Sequence, residues 1–217
     1  MQINSKNIKA IIWDWNGTLL NDVDICISCI NELLQKRDLK SITIERYVDI
    51  FTFPVKEYYE EAGFDFSKEK FEVPAMEFIK LYHEALSDAS LHNGSKEVLK
   101  RFKDLGLKQY VLSAMEHVSL IKSLKDTGIY DFFIDINGID NHYAHSKLDI
   151  GKELIKSIPF KNEEMIIIGD TLHDKDVADG LGIDHILVAK GHQSKERLLK
   201  HTSMVVDDLG EVLNLLT

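Results

Sequence analysis

The stretch IIWDWNGTLL, residues 11–20, decides how the rest of the chain is read. Together with Ile8, Lys9 and Ala10 it forms an apolar run, residues 8–13, that stops at Asp14. A run that short and that apolar is expected of a buried strand. Asn16, Gly17 and Thr18 follow it, so the strand opens onto a turn of small and polar residues. In open α/β sheets the sites lie beyond the carboxyl ends of the strands, which makes Asp14 the first candidate for chemistry.

Outward from this strand the pattern divides in two. From about Asp22 to Ala89 it is helical almost throughout. DICISCINELL has helical spacing, and PVKEYYEEAG starts at Pro54 and stops at Gly63, the usual asymmetry of a helix. EKFEVPAMEFIKLYHEALSDA reads as helix interrupted or restarted at Pro74. From Leu91 strands and helices alternate. GSKEVLKRFKDLG, EHVSLIKSLKDTG, KLDIGKELIKSI and HDKDVADGLG read as helices. KQYVLSA, FFIDING, EMIIIGD, HILVAKG and SMVVDDL read as strands. Alternation of this length predicts an α/β fold, a Rossmann-like doubly wound parallel sheet covered on both faces. The expected division is a core of residues 1–20 and 91–217 with an α-helical cap, 21–90, inserted after the first strand. Two short linkers near residues 20 and 90 would let that cap move against the core.

Composition narrows the function. The 217 residues are 44% hydrophobic and 29% charged, enough for a real core. A net charge of −10 and the lack of a Lys/Arg cluster argue against nucleic acid as partner. No apolar run approaches a membrane span, and the start MQINSKNIKAII does not read as a signal peptide, so a cytoplasmic protein without a membrane partner is expected. Cys26 and Cys29 form a C-x-x-C, but it falls inside an amphipathic helix with no second pair to complete a metal site. They read as buried helix residues. Nothing in the sequence specifies an oligomer.

Several strand ends carry reactive groups. Asp14, Asn16, Gly17 and Thr18 follow the first strand; Ser113 follows YVL; Asp170 follows IIIG, with Asp174 four residues on; Lys147 opens a helix. Singly, each is an ordinary strand end or cap. Together they place carboxylates, hydroxyls and one lysine on one rim.

In these residues the chain resembles the haloacid dehalogenase superfamily, specifically its phosphatases with a small helical cap after the first strand. The motif of an Asp, any residue, an Asp and Gly-Thr reads here Asp14-Trp15-Asn16-Gly17-Thr18. Ser113, Lys147 and the pair Asp170/Asp174 in GDTLHD supply the remaining three motifs in order. GDTLHDKDVADGLG is similar to phosphoglycolate-phosphatase-like members. The resemblance implies a phosphatase for a small phosphorylated metabolite, with Asp14 as nucleophile and an aspartyl-phosphate intermediate. It implies catalytic roles for Asp14, Asn16, Thr18, Ser113 and Lys147. Phosphate contacts would come from Trp15, Asn16, Ser113, Ala114 and Lys147. Mg²⁺ would sit on Asp14, the backbone carbonyl of Asn16 and Asp170, with Asp174 behind.

Elementary chemistry fits these roles. A carboxylate nucleophile splits hydrolysis into two easier steps. Three carboxylates repel a phosphate unless cations join them, and a hard divalent ion with oxygen ligands suits that need. Of the histidines, His92, His117, His142 and His145 read as solvated or packing residues. His173 lies within GDTLHD and is a candidate for touching substrate or donating a proton.

Asn16 is the departure from the family pattern, because the second Asp of the first motif protonates the leaving oxygen. An amide does not, and general acid–base catalysis contributes ~10²–10⁴-fold. Three explanations compete: a good leaving group such as an acyl or aryl phosphate, a proton from another residue, or a metabolite-binding or regulatory protein with little turnover. Phosphonoacetaldehyde hydrolases of the superfamily also lack the second Asp and use a cap lysine, for which Lys56 is the candidate here. Asn has nearly the volume of Asp, so Asn16→Asp is expected to fit without strain and to raise the rate on alkyl phosphates. Phe51, Phe53, Tyr58 and Tyr59 either line a pocket or pack the cap.

Overall fold

The computed structural model describes residues 7–139 and 146–217. His142 and His145 lie outside the described residues. Strand β1, Ala10–Trp13, is wholly buried. It pairs in parallel with β4, Lys108–Glu116, on one side and β6, Met165–Gly169, on the other. The sheet continues through β5, Asp135–Ile139, at one edge and through β7, Asp184–Val188, and β8, Val205–Val206, at the other. Its order is β5-β4-β1-β6-β7-β8, all parallel. This is the doubly wound sheet that the alternation predicts.

Side-chain alternation along each strand builds two cores. Ile11 and Trp13 of β1 and Ile166 and Ile168 of β6 face one cluster. That cluster holds helix α5, Ser95–Asp104, through Leu99 and Phe102, and α6, His117–Asp126, through Leu120 and Leu124. Ala10, Ile12, Met165 and Ile167 face the other, where α7, Lys147–Ser157, and α8, Leu172–Leu181, pack. Helices α9, Lys195–Leu199, and α10, Leu209–Leu216, complete the chain. Residues 203–209 read in sequence as a strand, but the strand is two residues long and GEVLNLL is helix α10. Asp208 starts that helix by accepting the Glu211 N–H, and Val212 and Leu216 bury its apolar face.

Between β1 and α5 the chain makes four helices with a hydrophobic cluster of their own. They are α1, Val23–Gln35; α2, Ile44–Ile50; α3, Val55–Ala62; and α4, Glu72–Ala85. Helix α4 is unbroken by Pro74. The helix begins only at Glu72, so the proline sits in its first turn, where a missing N–H forfeits no intrahelical bond. Cys26 and Cys29 are free, buried thiols on α1, packed into the four-helix cluster. The chain enters and leaves these helices through a two-stranded antiparallel ribbon of β2, Leu20–Asn21, and β3, Ser90–Leu91.

Sheet order fixes where chemistry can occur. The connection from β1 leads toward β4, whereas that from β6 leads toward β7. The crevice between two strands whose connections diverge is the natural ligand site of such a sheet, and Asp14 and Asp170 stand at its mouth.

Candidate active site

Asp14 is one residue beyond β1, and its N–H still bonds Ile168 O at 2.8 Å. Asp170 is one residue beyond β6, and Lys147 is the first residue of α7, which Ser146 starts by a capping box with Asp149. All three side chains are buried, as are Thr18 and Asp174. The Lys147 ammonium donates to Asp14 Oδ1 and, at 2.5 Å, to Asp174 Oδ1. Asp174 Oδ2 accepts the Thr171 N–H and hydroxyl at 3.0 and 2.6 Å, which fixes the turn that opens α8. Thr18 donates its hydroxyl to Asp170 Oδ1 at 3.0 Å.

Oxygens of Asp14, Asp170 and Asp174 lie within 4.8 Å of one another. Burial pushes the Asp14 carboxyl well up, with Lys147 opposing and Asp174 and Asp170 reinforcing. Burial likewise raises Asp170, to about 6, against the pull of His192. Three buried carboxylates with one lysine between them leave negative charge uncompensated. Oxygen donors in that number and charge fit a hard divalent cation.

Backbone geometry brings two glycines against this centre. Gly17 has φ +73°, and a Cβ there would stand 2.3 Å from Asp170 Oδ2. Gly191 has no room either, because its Cβ would meet the same oxygen at 2.0 Å. Behind Gly191 the His192 N–H donates to Asp170 Oδ2 at 2.6 Å.

Ser113 is fully buried on β4, and its Oγ accepts the Met115 N–H at 3.0 Å. By register it stands two residues past Val111, the partner of Trp13, and so on the same rim as Asp14. Its neighbour Ala114 lines the cavity over that rim. The Trp15 side chain lies wholly in the sheet core, so only its backbone is near the site. Its carbonyl accepts from the N–H groups of Thr18, Leu19 and Leu20.

The side chain of Asn16 is tied into a network that the sequence does not reveal. Asn16 Nδ2 donates to Asp22 Oδ2 at 2.8 Å and to the Tyr82 hydroxyl at 2.7 Å. Tyr82 in turn donates to Asp22 Oδ2 at 2.7 Å. Asp22 Oδ1 accepts the Gly17 N–H at 2.9 Å and faces His192 Nε2 at 3.3 Å. His192 Nδ1 meets the Tyr47 hydroxyl at 2.8 Å. Burial raises Asp22, but His192, Tyr82 and Asn16 outweigh it and hold its carboxyl down at about 2. Burial depresses His192, but Asp22 and then Asp170 and Asp14 outweigh it and hold the imidazolium up at about 9. An aspartate at position 16 would therefore set a carboxylate against the buried Asp22 carboxylate. Volume permits Asn16→Asp, and an ionised side chain there would face the Asp22 carboxylate.

Sequence reasoning missed Asp22 and His192. Asp22 occupies the N-cap position of α1, yet its side chain makes no capping bond there. It turns to Asn16 and Gly17 instead. His192 lies in KGHQSKER directly after β7. A sheet of this kind places its chemistry just past the carboxyl ends of its strands, so the position of His192 did carry a signal. Asp22, Cys26 and His192 also offer ligand atoms within 4.8 Å. Hydrogen bonds account for Asp22 and His192, and burial first, then Asp22, holds the Cys26 thiol neutral.

Above this floor lies a cavity of about 560 Å³. Asp14, Lys147, Asp170 and Asp174 line one end, and Phe51, Phe53, Tyr58, Tyr59 and Phe78 line the other. The four aromatic candidates named from the sequence thus line a pocket. His173 also lines it, stacked on Phe53 with ring centroids 4.5 Å apart. Lys56 does not. It is exposed, with Nζ 5.7 Å from the Phe66 ring centroid, and so is not positioned as the Schiff-base lysine of a C–P bond hydrolase. His92 is half-buried, with Nε2 3.0 Å from Gly17 O, and His117 opens α6.

The family model for haloacid dehalogenase-like hydrolases matches residues 11–188. Among solved structures, a haloacid dehalogenase-like family hydrolase from Streptococcus pneumoniae superposes with a TM-score of 0.85 at 19% identity, covering 98% of this chain and 100% of that one. A predicted phosphatase from Clostridium acetobutylicum gives 0.80 at 20% identity over 95% and 97% of the two chains. A predicted phosphoglycolate phosphatase from Haemophilus somnus gives 0.75 at 18% identity over 97% and 99%. No curated protein matches the sequence. Among the described residues no helix is long and apolar enough to cross a membrane.

Proposed function

The chain belongs to the haloacid dehalogenase-like hydrolases, and from that membership we propose that it is a Mg²⁺-dependent phosphatase for a small phosphorylated metabolite. The carrying observation is the meeting of Asp14, Asp170, Asp174 and Lys147 at the floor of one cavity. Structural neighbours described as phosphatases support the same chemistry. In this reading residues 21–90 act as the cap over a core of residues 1–20 and 91–217.

Asp14 attacks phosphorus. A bond forms between its carboxylate oxygen and phosphorus as the ester P–O bond breaks, and the departing oxygen keeps the electron pair. Water then attacks phosphorus, the Asp14 O–P bond breaks, and phosphate leaves as the carboxylate is regenerated. Lys147 offsets the charge of Asp14 and of the phosphoryl oxygens. Ser113 and the backbone N–H groups around Trp15, Asn16 and Ala114 donate to those oxygens. Thr18 holds Asp170. Mg²⁺ would be held by Asp14, the Asn16 carbonyl and Asp170, with Asp174 behind; when bound it supplies positive charge against the phosphoryl group.

Phosphate release from 4-nitrophenyl phosphate, measured with Mg²⁺ and with EDTA, tests the reading. Turnover that needs Mg²⁺ and disappears in Asp14→Asn is the expected result. Phosphate-ester binding without turnover would instead favour a metabolite-binding protein.

A further inference from the structure

Resting on the phosphatase reading, we propose that the substrate is an aryl phosphate, the phosphomonoester of a flat, uncharged aromatic alcohol held by the cap side of the cavity. Three observations converge on this class. The first is shape and lining. A cavity of about 560 Å³ is of small-ligand size. Its cap end is walled by rings that meet edge to face, as Tyr58 and Tyr59 do at an interplanar angle of 82°. Such walls favour a flat apolar body.

The second is the charge inventory. Among the described residues no arginine lines the cavity, and Lys147 is its one lysine. Lys147 is committed to Asp14 and Asp174, and His192 to Asp22. His173 is stacked on Phe53 with ring centroids 4.5 Å apart. His83 is exposed. Residues 140–145, DNHYAH, contain neither lysine nor arginine. Among the described residues the lining thus offers a second anionic group, such as the carboxylate of phosphoglycolate, no arginine and no lysine beyond Lys147.

The third is Asn16, whose amide is spent on Asp22 and Tyr82. An alkoxide needs a proton to leave, whereas a phenolate, whose conjugate acid has a pKa of about 10, departs more readily with the electron pair and takes its proton from bulk water after release.

The full chain with Mg²⁺ is assayed on 1-naphthyl phosphate, cyclohexyl phosphate and phosphoglycolate. The naphthyl ester is expected to have the lowest KM, with kcat/KM ~10²-fold above phosphoglycolate from apolar burial alone. Cyclohexyl phosphate should bind comparably yet give a kcat/KM ~10²–10⁴-fold lower, as an unassisted alkoxide must. Efficient turnover of phosphoglycolate, or equal kcat/KM for the cyclohexyl and naphthyl esters, overturns the proposal while leaving the phosphatase reading intact. Should none of the three turn over, the phosphatase reading fails. Calorimetry of Asp14→Asn with the naphthyl ester and phosphoglycolate then decides the cavity's preference by itself, and equal affinities overturn it.

Discussion

On the core wall of the cavity, Asp14, Asp170 and Asp174 are locked by Lys147, Thr18 and Thr171 through short, charge-assisted hydrogen bonds. On the cap wall, Phe51, Phe53, Tyr58 and Phe78 are held by ring contacts, with Phe51 and Tyr58 at 5.3 Å and Phe51 and Phe53 at 5.5 Å between centroids. Each core residue sits at or next to the end of a strand or helix, so the backbone decides its position. The cap residues are placed by packing among four helices, with no ladder to fix them. One wall holds buried charge at a fixed point; the other presents an apolar surface of packed rings toward it. Asp22, His192, Asn16 and Tyr82 join the two walls.

Removing one group from each wall should separate their roles most sharply. Asp14→Asn is expected to lower kcat on the order of 10⁴-fold or more with folding unchanged. Phe78→Ala should instead raise KM ~10-fold and largely spare kcat. Steady-state kinetics on 1-naphthyl phosphate, with circular dichroism as the folding control, reads both. Comparable kcat losses in the two variants would break the division of labour.

The junction gives a pH signature. Asp22 is held at about 2, below its ordinary 3.8, so its stabilisation is full above 3.8 and is lost as pH falls through 2. His192 is held at about 9, above its ordinary 6.5, so its stabilisation is full below 6.5 and is lost as pH rises through 9. The pair is thus worth most between about pH 4 and 6.5, and on the order of 3 kcal/mol is at stake above that window. The difference in unfolding free energy between the natural chain and His192→Gln should shrink between pH 6.5 and 9. A difference independent of pH would mean that His192 is neutral in the folded protein.

A smaller effect is expected at Asn16. Asn16→Asp replaces the donor to Asp22 with a like charge and should cost ~1–3 kcal/mol of stability. Adding Asp22→Asn restores a donor and should recover most of that loss. A double-mutant cycle by urea unfolding measures the coupling. If Asn16→Asp is as stable as the natural chain, the contact between positions 16 and 22 is not an energetic link. The smallest effect belongs to Lys56, on the solvent side of the cap. Lys56→Ala should change kcat/KM by less than about twofold, since exposed substitutions away from a site are nearly neutral. A large loss would return that lysine to the chemistry.

The sequence by itself determined the doubly wound sheet and the candidates along its rim. Strand runs such as IIW and MIIIG are apolar and end in Asp14 and Asp170, and a period-2 buried strand leaves little choice about where the next residue stands. Asp174 and Lys147 were legible for the same reason, because each lies in the first turn of a helix. Tertiary structure alone decided the rest. Asp22 is separated from its partners Tyr82 and His192 by 60 and 170 residues, and no local pattern records a bond between them. Asp22 has the spacing of a helix cap, and only the approach of α4 and of the chain after β7 turns its carboxylate inward. Likewise the aromatic residues of the cap could have packed or lined a pocket, since either use needs the same apolar side chains. Which one they serve depends on how four helices close over the sheet, and that is settled by three-dimensional packing.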